Sequence, residues 1–397
     1  MLKKVFGFVF SLGLLACLHF PNVANATSTE DGLEIKYLYY WDRNEAWNHT
    51  PAFSFFKKLS TSWKLSWNQE LDMVSGASRR LGWKNIGTLG DNQIKLDGLS
   101  SASKREIRHS EQATVAYSHQ GRNASASFYF SDERDYRSYS PALSISWDFN
   151  DRNTTLGASA ALFLDELRPV GSFAALGGER KITSGTLSVT QVLAPLRIAS
   201  LTVNSIHSTG VLGHPYNPII TSTGNLVLEN LPDRRTTLAI SGKLIQGYSL
   251  FQQLGSVHVE ARHYRDDWNM VSNTIDAQWY QYVADGTWFR LRTRGYRQGA
   301  AAFALTNYDG SEVYRSPDIR YYAFSTLTVG VKLGSAFSER WGESALLPDR
   351  WDLSYDHGLR DTKGEMDGIN PTYRYQLFSP DEYYMQGTFM AGLGFDF

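Results

Sequence analysis

Cysteine is almost missing from this chain: Cys17 is the single one among 397 residues. It sits in a stretch that reads as a leader, so leader removal excludes disulfides, thiolate catalysis and iron–sulfur ligation. After residue 26 no apolar run approaches the ~20 residues that a spanning helix needs. An excess of one charge is absent as well, since 39 Lys+Arg against 40 Asp+Glu give a net charge of −1. That balance leaves no basic footprint for nucleic acid. No Gly-x-Ser-x-Gly run occurs, and the nine histidines stand in no local arrangement with Ser and an acid. His258 and Glu260, two apart on a strand, do not have a specific metal spacing, and His214 is a lone loop histidine. No Cys-x-x-Cys-His run would attach haem. No metal, no cofactor and no enzymatic activity are expected.

What is present points to the cell envelope. Lys3 and Lys4 precede an apolar run from Val5 to Leu18, and Ala24-Asn25-Ala26 offers a small-residue cleavage site. Residues 1–26 therefore read as a secretory signal peptide. The alternative is lipidation of Cys17 behind Leu14-Leu15-Ala16, where Leu15 replaces the usual small residue. The whole chain has 42% hydrophobic residues, 22 Tyr, 11 Trp and 33 Gly, and residues 27–397 hold no helix-like segment. Their apolar residues recur by twos: Ala124, Ala126, Phe128, Phe130; Leu143, Ile145, Trp147, Phe149; Leu156, Ala158, Ala160, Leu162, Leu164; Leu327, Val329, Val331, Leu333. Period two means a strand with unlike environments on its two faces. The last strand alternates Phe389, Ala391, Leu393, Phe395 and Phe397, the last of these being the final residue given. That ending looks like the signal by which barrel-assembly machinery recognises its substrates. The alternative for such a strand is the edge of a soluble β-sandwich.

Connection lengths alternate. Short ones fall at His119-Gln120-Gly121-Arg122, Asn150-Asp151-Arg152-Asn153, Ala194-Pro195 and Asp285-Gly286; long ones run over 74–109, 166–180, 209–233, 299–316 and 360–381. Short periplasmic turns and long extracellular loops are the habit of outer-membrane barrels. Parity requires splitting residues 51–74 near Ser60-Thr61-Ser62, into Pro51 to Leu59 and Trp63 to Val74. The expected fold is all-β, a transmembrane antiparallel up-and-down β-barrel of about sixteen strands, with fourteen or eighteen as alternatives.

The chemically informative stretch is a charge stripe. Arg290, Arg292 and Arg294 alternate with Phe289, Leu291 and Thr293, so the three guanidiniums share one face. Facing lipid would cost about 2–4 kcal/mol each near the midplane, so that face is the lumen. Neighbouring strands put Glu260, Arg262 and Asp276 on the same side. Two readings stand: a ladder that attracts anions, and an ion-paired wall that stiffens the barrel. The loop 76–109, with Arg79, Arg80, Lys84, Lys95, Lys104, Arg105 and Arg108, suits phosphate-rich lipopolysaccharide or is simply solvated.

Several segments resemble an uncharacterised family of Gram-negative outer-membrane barrels, a domain of unknown function (number thirty-five seventy). They are Asp72-Met73-Val74-Ser75-Gly76-Ala77-Ser78, Ser131-Asp132-Glu133-Arg134-Asp135-Tyr136, Thr190-Gln191-Val192-Leu193, Gly213-His214-Pro215-Tyr216, Tyr264-Arg265-Asp266-Asp267-Trp268 and Arg294-Gly295-Tyr296-Arg297-Gln298. Arg79 departs from the Pro usual after the first run. The resemblance implies a barrel in the outer membrane and no established activity; its gene neighbourhoods hint at a periplasmic redox or lipoprotein partner. Asp72, Ser75, Gly76, Asp132, Glu133, Asp135, Tyr136, His214, Pro215, Tyr216, Asp266, Asp267 and Trp268 all fall near expected extracellular strand ends. There they form either a ligand-recognising mouth or loops packed on one another. The expected function is a pore for small polar, even anionic, solutes; the alternatives are a non-conducting receptor or assembly barrel, and last a barrel hydrolase.

Overall fold

The computed structural model describes residues 31–42, 47–75, 106–214, 218–250, 252–305, 307–336, 348–361 and 383–396. The leader and its Cys17, most of the basic loop, Gly76, Pro215, Tyr216 and Phe397 lie outside these residues. Strands follow one another along the chain as β1 (Gly32–Asp42), β2 (Trp47–Lys58), β3 (Trp63–Ser75), β4 (Glu106–His119), β5 (Arg122–Glu133) and β6 (Tyr136–Phe149). Next come β7 (Thr154–Leu167), β8 (Gly178–Ala194), β9 (Arg197–Gly210), β10 (Pro218–Ile220), β11 (Leu226–Leu228) and β12 (Arg234–Leu250). The last six are β13 (Gln253–Asp266), β14 (Val271–Ala284), β15 (Thr287–Gln298), β16 (Phe324–Ala336), β17 (Arg350–Asp361) and β18 (Tyr383–Asp396). β10 and β11 pair only with each other; the other sixteen close into one antiparallel barrel, each beside its chain neighbour, with β9 meeting β12. The seam is β1 on β18, from Gly32↔Asp396 to Asp42↔Gln386. The expected split of residues 51–74 is correct, though β2 begins at Trp47, before Pro51.

Alternation builds this barrel because one face must meet lipid and the other the lumen. Leu143, Ile145, Leu187 and Ile275 point outward and are 65%, 63%, 64% and 63% exposed. Their partners in alternation, such as Ser138, Ser140, Ser184 and Asp276, point inward and are buried. A continuous apolar exterior of this kind belongs in a bilayer. Aromatic pairs border it: Trp63 on Tyr117 (5.0 Å) and Trp147 on Phe149 (5.1 Å) at the edge holding Gly32 and Asp396. Near the opposite edge Tyr39 and Trp47 pack on His49 (4.8 and 4.7 Å). Such girdles mark membrane–water interfaces. Ile275→Arg is therefore expected to destabilise the folded barrel in lipid by about 2–4 kcal/mol, while Thr274→Arg, one residue before it and facing inward, costs less. Urea titration of the protein in vesicles reads both, and equal costs would mean that the exterior is not lipid-facing.

The edge where β1 begins and β18 ends, at Gly32 and Asp396, has turns as tight as two residues, which makes it the periplasmic one by barrel convention. At Gln120-Gly121 both φ angles are positive (47° and 72°), as a two-residue type I′ hairpin requires. The length rule is not uniform, however. Arg134-Asp135 and residues 267–270 are short connections on the extracellular edge, and 337–349 is a longer one on the periplasmic edge. The strand count depends only on parity. The prolines inside barrel strands, Pro51 and Pro141, lie in gaps of the β2–β3 and β6–β7 ladders, because proline has no N–H to donate.

Candidate functional site: the lumen wall and the mouth

The arginine stripe of β15 faces the lumen, in register with carboxylates and a glycine on its neighbours. Asp276 on β14 lies opposite Arg294, yet its carboxylate is taken by Arg292, through Nε at 2.9 Å and Nη2 at 2.6 Å. Arg292 also reaches Asp356 on β17 at 3.3 Å, two strands away. Gly330 on β16 stands between them in register, Arg292↔Gly330↔Asp356, and makes that reach possible. A Cβ at Gly330 would come within 1.7 Å of Asp356 Oδ1. The same device recurs at the seam, where Arg350 on β17 crosses Gly394 on β18 to bond Glu34 on β1 at 3.0 Å. Glycine here supplies room across a rung and not backbone freedom. Gly330→Leu is expected to separate Arg292 from Asp356 and to lower stability by about 1–3 kcal/mol through overpacking. A urea midpoint equal to wild type would refute the role given to the slot.

Arg290 meets Asp356 at 3.3 Å. Arg294 and Arg262 make no ion pair among the described residues; Arg262 lies over the Tyr264 ring at 5.8 Å. The stripe is thus divided between an ion-paired part, Arg290 and Arg292, and a part, Arg294 and Arg262, that lies near Glu260 and Asp276 but makes no ion pair among the described residues. Asp356 was not identified from the sequence; nothing local joins it to residues sixty-odd positions earlier, and only the strand order does. The far wall is different in kind. From β5 to β9 it presents hydroxyls and amides, with Ser125 bonded to Ser144 (2.7 Å), Asn123 to Ser146 (3.1 Å) and Asn204 to Thr186 (2.9 Å), beside an apolar cluster of Ala142, Ala161, Phe163, Ile182 and Ile206.

At the extracellular edge stand three buried carboxylate–arginine clamps, two of them on the motif acids Asp72 and Asp266. Asp72 accepts from Arg108 Nε at 2.7 Å and from Thr50 Oγ1 at 2.5 Å, across β2, β3 and β4. Asp165 accepts from Arg180 Nε and Ser138 Oγ, both at 2.7 Å, and Arg180 also reaches the Tyr136 hydroxyl at 3.3 Å. Asp266 takes Arg235 Nη2 at 2.6 Å, with Tyr264, Trp268 and Met270 as further donors. Asp267 accepts the Thr236 backbone N–H at 2.9 Å. Asp132 faces outward, bonded to Arg137 at 2.7 Å and Arg168 at 3.0 Å, and the Asp135 carbonyl accepts the Arg168 N–H. His214 donates its backbone N–H to Glu229, and Glu133 is buried. Asp165 and Arg235 were missed because neither stands in a motif-like run.

Above the Asp266 clamp, two loops are joined. Residues 211–233 and 299–323 meet through the antiparallel bridge Asn230↔Arg315, Arg315 Nε on Leu228 O (2.9 Å) and Ser222 N on Tyr308 O (2.7 Å). Their apolar side chains Leu231, Ala301, Phe303 and Tyr321 pack with Trp268 and Met270. Arg235 stacks on Trp268 at 4.4 Å, a cation–π contact that ties this unit to the barrel wall. Gln298, an inward residue of β15, donates to the Arg320 and Tyr322 carbonyls at 2.7 Å, so the second loop lies over the lumen side of its strand. Burial pushes the Tyr321 hydroxyl up to about 12.

A closed sixteen-strand barrel with an apolar exterior and a polar interior is an outer-membrane-type β-barrel. Within that class the chain belongs to the family described as "Protein of unknown function (DUF3570)", whose model matches residues 12–348. No curated protein matches it. Among solved structures it is similar to CdiB from Acinetobacter baumannii (8% identity, TM-score 0.50), over 92% of this chain and 60% of that one. A bacterial polysaccharide outer membrane secretin matches over 93% and 98%, at 9% identity and TM-score 0.48. Pseudomonas aeruginosa OccK1 (OpdK) matches over 93% and 98%, at 9% and 0.42. At these identities the likeness concerns the fold, which is that of Gram-negative outer-membrane proteins.

Proposed function

We propose that this barrel is an outer-membrane channel for small polar solutes, with a preference for anions. The observation that carries the reading is the pair Arg294 and Arg262, which face the lumen with no carboxylate partner among the described residues, opposite a wall of neutral hydroxyls. Fixed cations in a narrow aqueous path raise the local anion concentration, and hydroxyls replace hydration without adding charge. No catalytic role is assigned. The test is single-channel recording of refolded protein in a planar bilayer under a salt gradient. A steady ohmic conductance with an anion-selective reversal potential supports the channel.

A second reading, a non-conducting receptor or assembly barrel with a periplasmic redox or lipoprotein partner, is favoured by the joined loops 211–233 and 299–323 at the mouth. Silence from well-folded, heat-modifiable protein would select it. In either reading the surrounding lipid includes lipopolysaccharide, and insertion runs through β18, whose Phe389, Leu393 and Phe395 share one face.

A further inference from the structure

At the extracellular edge of β13–β15 the aliphatic exterior ends in a cationic patch. Arg265 and Arg297 occupy the last residue but one of β13 and β15; both alternate outward and are exposed. Asn273 on β14 stands opposite both His263 and Arg297 in register. Its Oδ1 pairs with His263 Nδ1 at 2.9 Å, which leaves Nε2 for another partner. Neither guanidinium makes an ion pair among the described residues. Elsewhere on the exterior the corresponding cations are ion-paired, since Arg137 and Arg168 share Asp132. Asp267, an exposed acid two residues beyond Arg265, accepts the Thr236 N–H of β12. Below the patch the outward residues run through Ile275, Ala261, Gly295 and Thr293 to Val259 and Leu291, and Ile275, Val259 and Leu291 are large, apolar and exposed.

We propose that Arg265, Arg297 and His263 bind the phosphate of an outer-leaflet glycolipid, whose acyl chains lie along Ile275, Val259 and Leu291. A guanidinium fork matches phosphate oxygens in a bidentate way and is weakly hydrated, which suits a half-desolvated interface. Basic clusters just above a hydrophobic belt recognise anionic headgroups by the same physics. Asn273 adds an amide for sugar hydroxyls. A free anion would use the cations but would leave the apolar belt unused, and the belt's continuity with the patch is what favours a lipid. The inference does not depend on whether the lumen conducts.

The experiment uses the full chain refolded in phosphatidylcholine vesicles containing purified lipopolysaccharide, then extracted gently and weighed by native mass spectrometry. Wild type is expected to retain phosphorylated lipid A species. The variant Arg265→Ala/Arg297→Ala should retain at least about tenfold less, while Arg234→Ala, an exposed cation beside Asp233, should match wild type. Dephosphorylated lipid A offered to wild type should bind no better than phosphatidylcholine, an arm that needs no variant to fold. Equal retention by the double variant, or equal binding of the dephosphorylated lipid, overturns the proposal. Displacement of the lipid by millimolar inorganic phosphate alone would assign the patch to free anions and overturn it as well.

Discussion

Arg294→Glu is expected to convert an anion-preferring conductance into a neutral or cation-preferring one, with the open-channel structure intact. The substitution changes the wall by two charge units at a position where the native guanidinium has no ion pair among the described residues. Two unit charges 4 Å apart interact by about 1 kcal/mol in water. A two-unit change thus shifts a passing ion's energy by about 2 kcal/mol, less where salt screens over ~10 Å. The anion-to-cation permeability ratio should fall several-fold, read from the reversal potential under a salt gradient. Arg292→Glu is the less clean experiment, although the stripe alone does not distinguish the two positions. Removing Arg292 leaves Asp276 and Asp356 facing a third carboxylate, so selectivity and stability change together. A conducting Arg294→Glu channel with wild-type selectivity would remove the ladder from the permeation path.

Asp266→Ala is expected to be the most damaging single substitution at the mouth. Its buried side chain accepts five hydrogen bonds: two from Arg235, one from the Tyr264 hydroxyl, and one each from the Trp268 and Met270 backbone N–H groups. Deleting one partner of a buried pair leaves the other charge uncompensated and costs about 3–5 kcal/mol. The loss should appear as a lower urea midpoint, and Trp268, 5% exposed in the intact protein, should shift its fluorescence to the red as the loop unit loosens. Asp266→Asn keeps the two backbone acceptances and should recover part of the midpoint. An unchanged midpoint in the Ala variant would mean that Arg235 is held by its aromatic stack on Trp268 and Tyr321 alone. If the joined loops obstruct the lumen, the same variant should conduct more than wild type, which links this test to the choice between channel and closed barrel.

The sequence by itself determined the class of this protein, because the information needed is local. Period-two alternation specifies strands with a lipid and a lumen face, and an even parity of such strands specifies closure; sixteen followed from splitting one segment at Ser60-Thr61-Ser62. The inward direction of Arg290, Arg292 and Arg294 was legible for the same reason, since neighbours along a strand alternate without reference to anything else. What only the tertiary structure decided was which charges meet. Asp356 reaches Arg290 and Arg292 because β17 lies two strands from β15 and Gly330 leaves the rung between them open. Asp165 meets Arg180, and Asp266 meets Arg235, through the register of paired strands; a shift of one residue would turn each partner to the other face. The motif residues Asp72, Tyr136, Asp266, Asp267 and Trp268 stood out in sequence as an extracellular set, but their type could not distinguish a binding mouth from a packed one. The choice rests on hydrogen-bond partners supplied by other strands and loops, and those exist only once the barrel has closed.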